Sequence, residues 1–192
     1  MEEREKRLIG DELEPGGRPK APGRLELLQR FLNTHNHDFP DDWDRIGTPA
    51  KATAWLGEKG LLGPGEAVAE ADVARLIELR EALRALLVGP RDEAAARIRA
   101  LAAGVALALA VDERGRTVRG PARGGADGAV ATLLGILHEA QLTGDWSRMK
   151  GCRSCEYAFF DRSKNRSAAW CAMSICGNRT KNRAYYRRRR VG

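Results

Sequence analysis

All four cysteines of the chain fall in its last quarter, as Cys152-Arg-Ser-Cys155 and, after fifteen intervening residues, Cys171-Ala-Met-Ser-Ile-Cys176. Two thiolates three positions apart reach one ion from a tight knuckle, and a second pair at the entrance to a helix completes a tetrahedron. The spacing therefore reads as one structural Zn2+ held by Cys152, Cys155, Cys171 and Cys176. Two disulfides or four core thiols are the alternative, and the polar Arg-Ser spacer suits a knuckle better than a buried strand. With cysteine at every position, no coordination site is left for an activated water, so no catalytic residue is assigned and the chain is read as a non-enzyme.

The charge is as unevenly placed as the sulphur. The 192 residues carry a formal +7, yet from Gly151 onward eleven Lys or Arg face only Glu156 and Asp161, so residues 1–150 are net negative at −2. A strong positive field on one small module points to nucleic acid, and the stretch lacks an apolar face that could insert into a membrane. Directly after Cys176 come Asn178, Arg179, Lys181, Asn182 and Arg183, then Arg187, Arg188, Arg189 and Arg190. On a helix, Asn178 stands over Asn182 and Arg179 over Arg183, two rows able to meet adenine and guanine edges in a major groove. Inward hydrogen bonding of Asn178 and Arg179 next to a zinc ligand is an equal alternative. Lys181, Arg183 and the four terminal arginines are the candidates for phosphate contacts. Tyr185 and Tyr186 could stack on single-stranded RNA, although packing against the module is the plainer role.

The elements that must position this site are mostly helical. Residues 1–22 mix charge with Pro15, Gly16, Gly17, Pro19 and Pro22 and read as a disordered tail. Residues 23–146 read as a mainly helical regulatory or sensor domain, and residues 147–192 as the zinc finger with its basic terminal helix. Leu25, Leu28, Phe31 and Leu32 have helical spacing, and Thr48-Pro49 caps and opens a helix that carries Trp55 and Leu56 and stops at Gly60. Val73, Leu76, Ile77, Leu83, Leu86 and Leu87 form one stripe, with Glu78, Arg80, Glu81 and Arg84 largely off it, halted by Gly89-Pro90. A further helix runs from Pro90 to about Ala103. Residues 105–118 read as a short hairpin, and Asp127 is placed as the cap of a helix ending at Gly144. Inside the finger, residues 155–160 are expected to pair with residues 168–171 as a hairpin between the two ligand pairs. The fold class is thus mainly α with a small β element (α+β), a helical N-terminal domain followed by a treble-clef-like zinc finger.

The tetrapeptide Cys176-Gly177-Asn178-Arg179, preceded by Trp170-Cys171 and by Phe159-Phe160-Asp161-Arg162, resembles the CGNR zinc finger family over roughly residues 148–190. Upstream, Phe31 to Thr34, Thr48-Pro49 with Trp55-Leu56, and Leu79 to Arg84 are similar to the helical domain that accompanies this finger in bacteria. The resemblance implies a stress-induced bacterial transcription regulator whose finger binds double-stranded DNA. It also implies an N-terminal domain that senses a small-molecule effector of unknown identity, for which Phe31, Asn33, Trp43 and Trp55 are candidate pocket walls, with core packing the alternative. A single finger grips weakly, so a homodimer fits this reading, although no heptad marks an interface. His35, His37 and His138, near Asp38, Asp41 and Asp42, lack a nucleophile partner in sequence and are read as structural or exposed. No stretch approaches the roughly 18 apolar residues of a membrane span and no secretory leader is apparent, so a cytoplasmic protein is expected.

Overall fold

A computed structural model describes residues 14–36, 38 and 41–191. Three helices build the centre. Helix α1 (Leu25–Leu32) buries Leu25, Leu28, Phe31 and Leu32, the spacing that one helical stripe dictates. Helix α2 (Pro49–Glu58) starts where Thr48 accepts the Lys51 N–H at 3.3 Å, and the chain leaves it through Gly60 in the left-handed region (φ +66°). Helix α3 (Glu70–Val88) is followed by α4 (Arg91–Leu101), which lies along it. Strands β1 (Leu107–Val111) and β2 (Thr117–Pro121) pair antiparallel with Leu109 opposite Arg119. Helix α5 (Gly125–Thr143) is rich in Ala, Leu and Gly, so it sits deepest, burying Ala129, Val130, Leu133 and Ile136 against α1 and α3. It ends at Gly144, whose φ of +81° is the left-handed exit expected of a glycine cap. Among the described residues no helix is long and apolar enough to cross a membrane.

Three local expectations are corrected here. Arg80 and Arg84 lie off the apolar stripe of α3 in sequence, yet both are 2% exposed. The loop after α1 folds over that face and supplies the partners. Arg80 grips Asp44 with both terminal nitrogens at 2.8 Å, reaches the Thr34 hydroxyl at 3.0 Å and donates through Nε to Glu81. Arg84 donates to the carbonyls of Leu32 and His35, and so satisfies acceptors released at the C-terminus of α1. Asp127 does not cap α5; Gly124 holds that position, and Asp127 instead pairs with Arg75 at 2.5 Å. Residues 14–22 are not a disordered tail. They form a short 3-10 turn (Pro15–Gly17) and a strap in which Glu14, Pro15 and Ala21 are buried. Residues 1–13 lie outside the described part.

The C-terminal module opens with β3 (Met149–Gly151) and β4 (Ala158–Phe160), paired antiparallel with Lys150 opposite Phe159. This hairpin encloses the first cysteine pair rather than separating the two pairs, which corrects the expected pairing of 155–160 with 168–171. Residues 168–171 form no strand; their place is fixed by the Arg153 N–H on the Ala169 carbonyl (3.0 Å) and the Ala168 N–H on Asp161 (3.0 Å). Met149, Ala158 and Phe160 belong to the same core as α1, α3 and α5. The free edge of β4 is covered by a side chain that imitates a strand. Asn33 accepts the Ala158 N–H and donates to the Ala158 carbonyl, both at 2.8 Å, while Gln29 reaches that carbonyl at 3.3 Å. Helix α6 (Asn178–Val191) closes the chain.

The Arg80–Asp44 pair sets the first expectation. Burial opposes charge on Asp44, but the hydrogen bonds and charge of Arg80 win and hold its carboxyl below the ordinary value. Asp44→Ala leaves a buried guanidinium without its main partner and lowers unfolding stability by about 3–5 kcal/mol at neutral pH, read from urea denaturation against the native chain.

Candidate metal centre and cationic helix

The knuckle is made by a reversal after β3. The Cys152 N–H bonds to the Tyr157 carbonyl at 3.0 Å, the Glu156 N–H to the Cys152 carbonyl at 2.9 Å, and Glu156 adopts φ +58° to close the turn. The second pair comes from the other side. Cys171 ends the irregular run after β4, and Cys176 sits in a wide helical turn (Met173–Gly177) that leads into α6, its N–H on the Ala172 carbonyl and its own carbonyl accepting the Thr180 hydroxyl. A Cβ at Gly177 would lie 2.4 Å from Met173 Sδ and 3.3 Å from the Trp170 ring, so a larger residue there would have to displace the exposed Met173 side chain.

All four sulphurs are buried and lie within 4.8 Å of one another. Cys155 and Cys171 are 3.7 Å apart, and Cys176 is 3.6 Å from each. A disulfide needs about 2.05 Å, whereas a zinc ion with bonds of about 2.3 Å places tetrahedral sulphurs roughly 3.8 Å apart. The donor set thus fits one zinc ion. Electrostatics make the same demand. Hydrogen bonds from Cys155 and Cys171 pull the Cys152 thiol far down, and the same contacts push Cys155 and Cys171 up; burial pushes Cys176 up as well. Four thiolates in one buried volume repel one another, and a divalent cation is what allows all four to be held together.

The strap missed by sequence reading is part of this site. Arg18 donates to the carbonyls of Cys171 (2.6 Å) and Trp170 (3.0 Å) with its guanidinium 4.7 Å from the Phe159 ring centre. Gly16, at φ +71°, lies so close to the Ala172 side chain that a Cβ would approach it to 2.8 Å. Burial pushes the Glu14 carboxyl up to about 7 against its hydrogen bond with Tyr157, and one of its oxygens has no protein partner. Asp161 is fully buried. Although burial opposes its ionisation, Lys150, Ser163 and Ala168 hold its carboxyl well below the usual range and thereby pin the loop between the ligand pairs. The only sequence signal for the strap was Pro15-Gly16-Gly17, a composition equally typical of a mobile tail.

Helix α6 extends from this centre for about 21 Å at 1.5 Å per residue. Lys181, Asn182, Arg183, Arg187 and Arg189 are exposed along it; the side chains of Arg188 and Arg190 lie outside the described part. Asn178 is exposed and donates to the Ser174 carbonyl at 3.4 Å, while Arg179 is turned inward and paired with Asp38 of the loop after α1 at 2.7 Å. Tyr185 and Tyr186 are 48% and 63% exposed, so neither packs on the hairpin; they meet edge to face, with Arg189 over the Tyr185 ring. The proposed effector wall is not assembled. Phe31 and Trp55 are core residues and the Asn33 amide is spent on Ala158; Trp43 is half-exposed above a shallow depression. His138 is exposed on α5, and His37 lies outside the described residues.

Comparison with known families follows the same division. The family model described as "Putative stress-induced transcription regulator" (ABATE) matches residues 25–144, and the CGNR zinc finger model matches residues 148–189. No curated protein matches the chain.

Purified protein is expected to hold one zinc per chain by elemental analysis. Arg18→Ala is expected to keep that stoichiometry but weaken zinc affinity about 10–100-fold in competition with a chromogenic chelator. The raised Glu14 value fixes a sign: neutral Glu14 is the favoured buried form, so its contribution is intact below the ordinary 4.5 and is lost as pH rises through about 7. Glu14→Gln should therefore be stabilising above pH 7 and indistinguishable from native below pH 4.5, measured as the difference between melting curves at matched pH.

Proposed function

The chain belongs to the family of stress-induced transcription regulators that its helical domain matches and ends in a CGNR zinc finger, and we propose that it acts by gripping duplex DNA with α6. One observation carries this reading: α6 has seven basic residues and no acidic one, lies exposed, and is anchored at its first turn to the zinc cluster. A cationic helix on a rigid base suits a polyanion that has the width of a groove. Lys181, Arg183, Arg187, Arg188, Arg189 and Arg190 serve as phosphate contacts, and Asn182 with Arg183 faces base edges. Asn178 sits at the root of the helix as a further base contact. Arg179 takes part only when it leaves Asp38.

Zinc has a structural role in this scheme. The finger contributes few apolar residues of its own beyond Tyr157, Phe159 and the cysteines, so the ion orders it and fixes the direction in which α6 points. No enzymatic step is invoked. Cytoplasmic location follows from this reading, since thiols in that compartment stay reduced and available to metal. A homodimer would double the grip, and the helical domain would pass on a signal.

Tyr185 and Tyr186 supply a specific reason to weigh RNA, because exposed rings stack on unpaired bases. Competition decides between the partners. With about six phosphate contacts, the slope of log affinity on log salt for duplex DNA should be near −5, and replacing Arg187, Arg188, Arg189 and Arg190 by Ser should reduce it to about −2. Chelation of zinc should abolish binding in the same titration. Preference for single-stranded RNA at matched salt would transfer the reading to the tyrosines. Absence of binding to either nucleic acid at low salt would leave a protein-interaction finger.

A further inference from the structure

A large cleft lies where the helical body meets the finger, away from α6. Its volume is about 1170 Å³, above the roughly 300–1,000 Å³ of ordinary small-molecule sites. One wall is the C-terminal end of α3, with Leu86, Leu87 and the 44%-exposed Val88, continued by Trp146 after α5. The opposite wall is the finger itself: the knuckle at Cys152 and Arg153, and the loop from Arg166 to Ala169. The two walls differ in chemistry. The first is apolar and, being formed by the ends of α3 and α5, carries the partial negative charge of helix C-termini. The second is cationic.

The positive groups are available to a ligand. Lys150 is neutralised by Asp161, but Arg153 and Arg91 are exposed and neither forms an ion pair among the described residues. Arg166 touches only the neutral Ser147 hydroxyl with its terminal nitrogen, at 3.1 Å. Glu156 is the single carboxylate of the lining, against four basic residues. Half-exposed leucine, valine and tryptophan side chains facing unpaired guanidinium groups across a cleft of this size form an amphipathic site.

We propose that this cleft binds a small organic acid with an apolar tail, its carboxylate held by Arg153 and Arg166 of the finger and its tail laid against Leu87, Val88 and Trp146 of the body. The apolar surface is contributed by the body, and the cationic groups by Arg153 and Arg166 of the finger together with Arg91 of α4. A ligand seated there ties the knuckle bearing Cys152 to α3, and so bears on how the finger is held by the helical domain. The site stands whether or not α6 binds DNA.

Calorimetry on the zinc-loaded full chain, without nucleic acid, tests it with naphthalene-2-carboxylate, its uncharged carboxamide and decanoate. The carboxylates should bind saturably at one site per chain, with the carboxamide at least about tenfold weaker, the cost of losing a charge-assisted pair. Exposed Arg153→Ala and Arg166→Ala together should weaken the carboxylates by a similar factor with zinc content unchanged. Ala169→Trp, which intrudes on the cleft wall beside Arg166, should weaken binding while the melting temperature holds; should that variant not fold, the arginine variants carry the test. Absence of saturable heat with both carboxylates up to their solubility limits overturns the proposal. So does equal affinity for the carboxamide, or unchanged binding in the arginine variants.

Discussion

Four thiols cannot share a buried volume as anions unless something of opposite charge sits among them. That constraint organises the C-terminal part of the chain. The cluster brings together a knuckle, an irregular loop end and the first turn of a helix, which have few apolar residues to hold them otherwise. Once the sulphurs are tied to one ion, the backbone on either side is fixed, and a small residue becomes necessary where Gly16 passes over Ala172. The direction of α6 is a consequence of the same four bonds.

The ion does not act alone, and the finger is not a bead on a string. Its outer strand is completed by Asn33 and Gln29 of α1, its hydrophobic face by the shared core, its second ligand segment by Arg18, and the root of α6 by Asp38. The polar attachments come from residues 14–38, and the shared core adds apolar contacts with α1, α3 and α5. A shift of the segment around α1 is therefore felt at the finger. The Arg80–Asp44 and Arg84 contacts hold that segment from the other side, which is why two full charges are buried under a loop in a domain with an otherwise ordinary apolar core.

Much of this was legible in the sequence where a signal is local. Cysteine spacing gave the metal cluster, Thr48-Pro49 gave a helix start, Gly89-Pro90 and Gly144 gave helix ends, and helical spacing of apolar residues gave the core face of α1. Signals that depend on what a distant segment covers were not legible. Arg80 and Arg84 sit where an isolated α3 would be wet, and only the returning loop turns that face inward. Residues 14–22 have the composition of a tail, and their order comes from carbonyls of Cys171 and Trp170 more than 150 positions away. The hairpin of the finger was misplaced for a related reason. Residues 155–160 are β-formers, but their expected partners at 168–171 have backbone groups bonded to Asp161 and Arg153 instead of to a ladder.

The terminal helix shows how far local sequence can run against local stability. Arginines at positions 183 and 187, and lysine and arginine neighbours around them, repel at i,i+4 spacing, a penalty of a few tenths of a kcal/mol per pair. A free helix of this length is marginal in water even without repulsion. Its first turn is therefore decisive, because the Cys176 carbonyl bonded to Thr180 and the zinc-held turn beneath it remove the cost of nucleation. Beyond that turn the charges favour whatever screens them. A helix that is nucleated at one end and repelled along its length is stabilised by whatever screens those charges, so its first turn and its surroundings, more than its own propensity, set its stability.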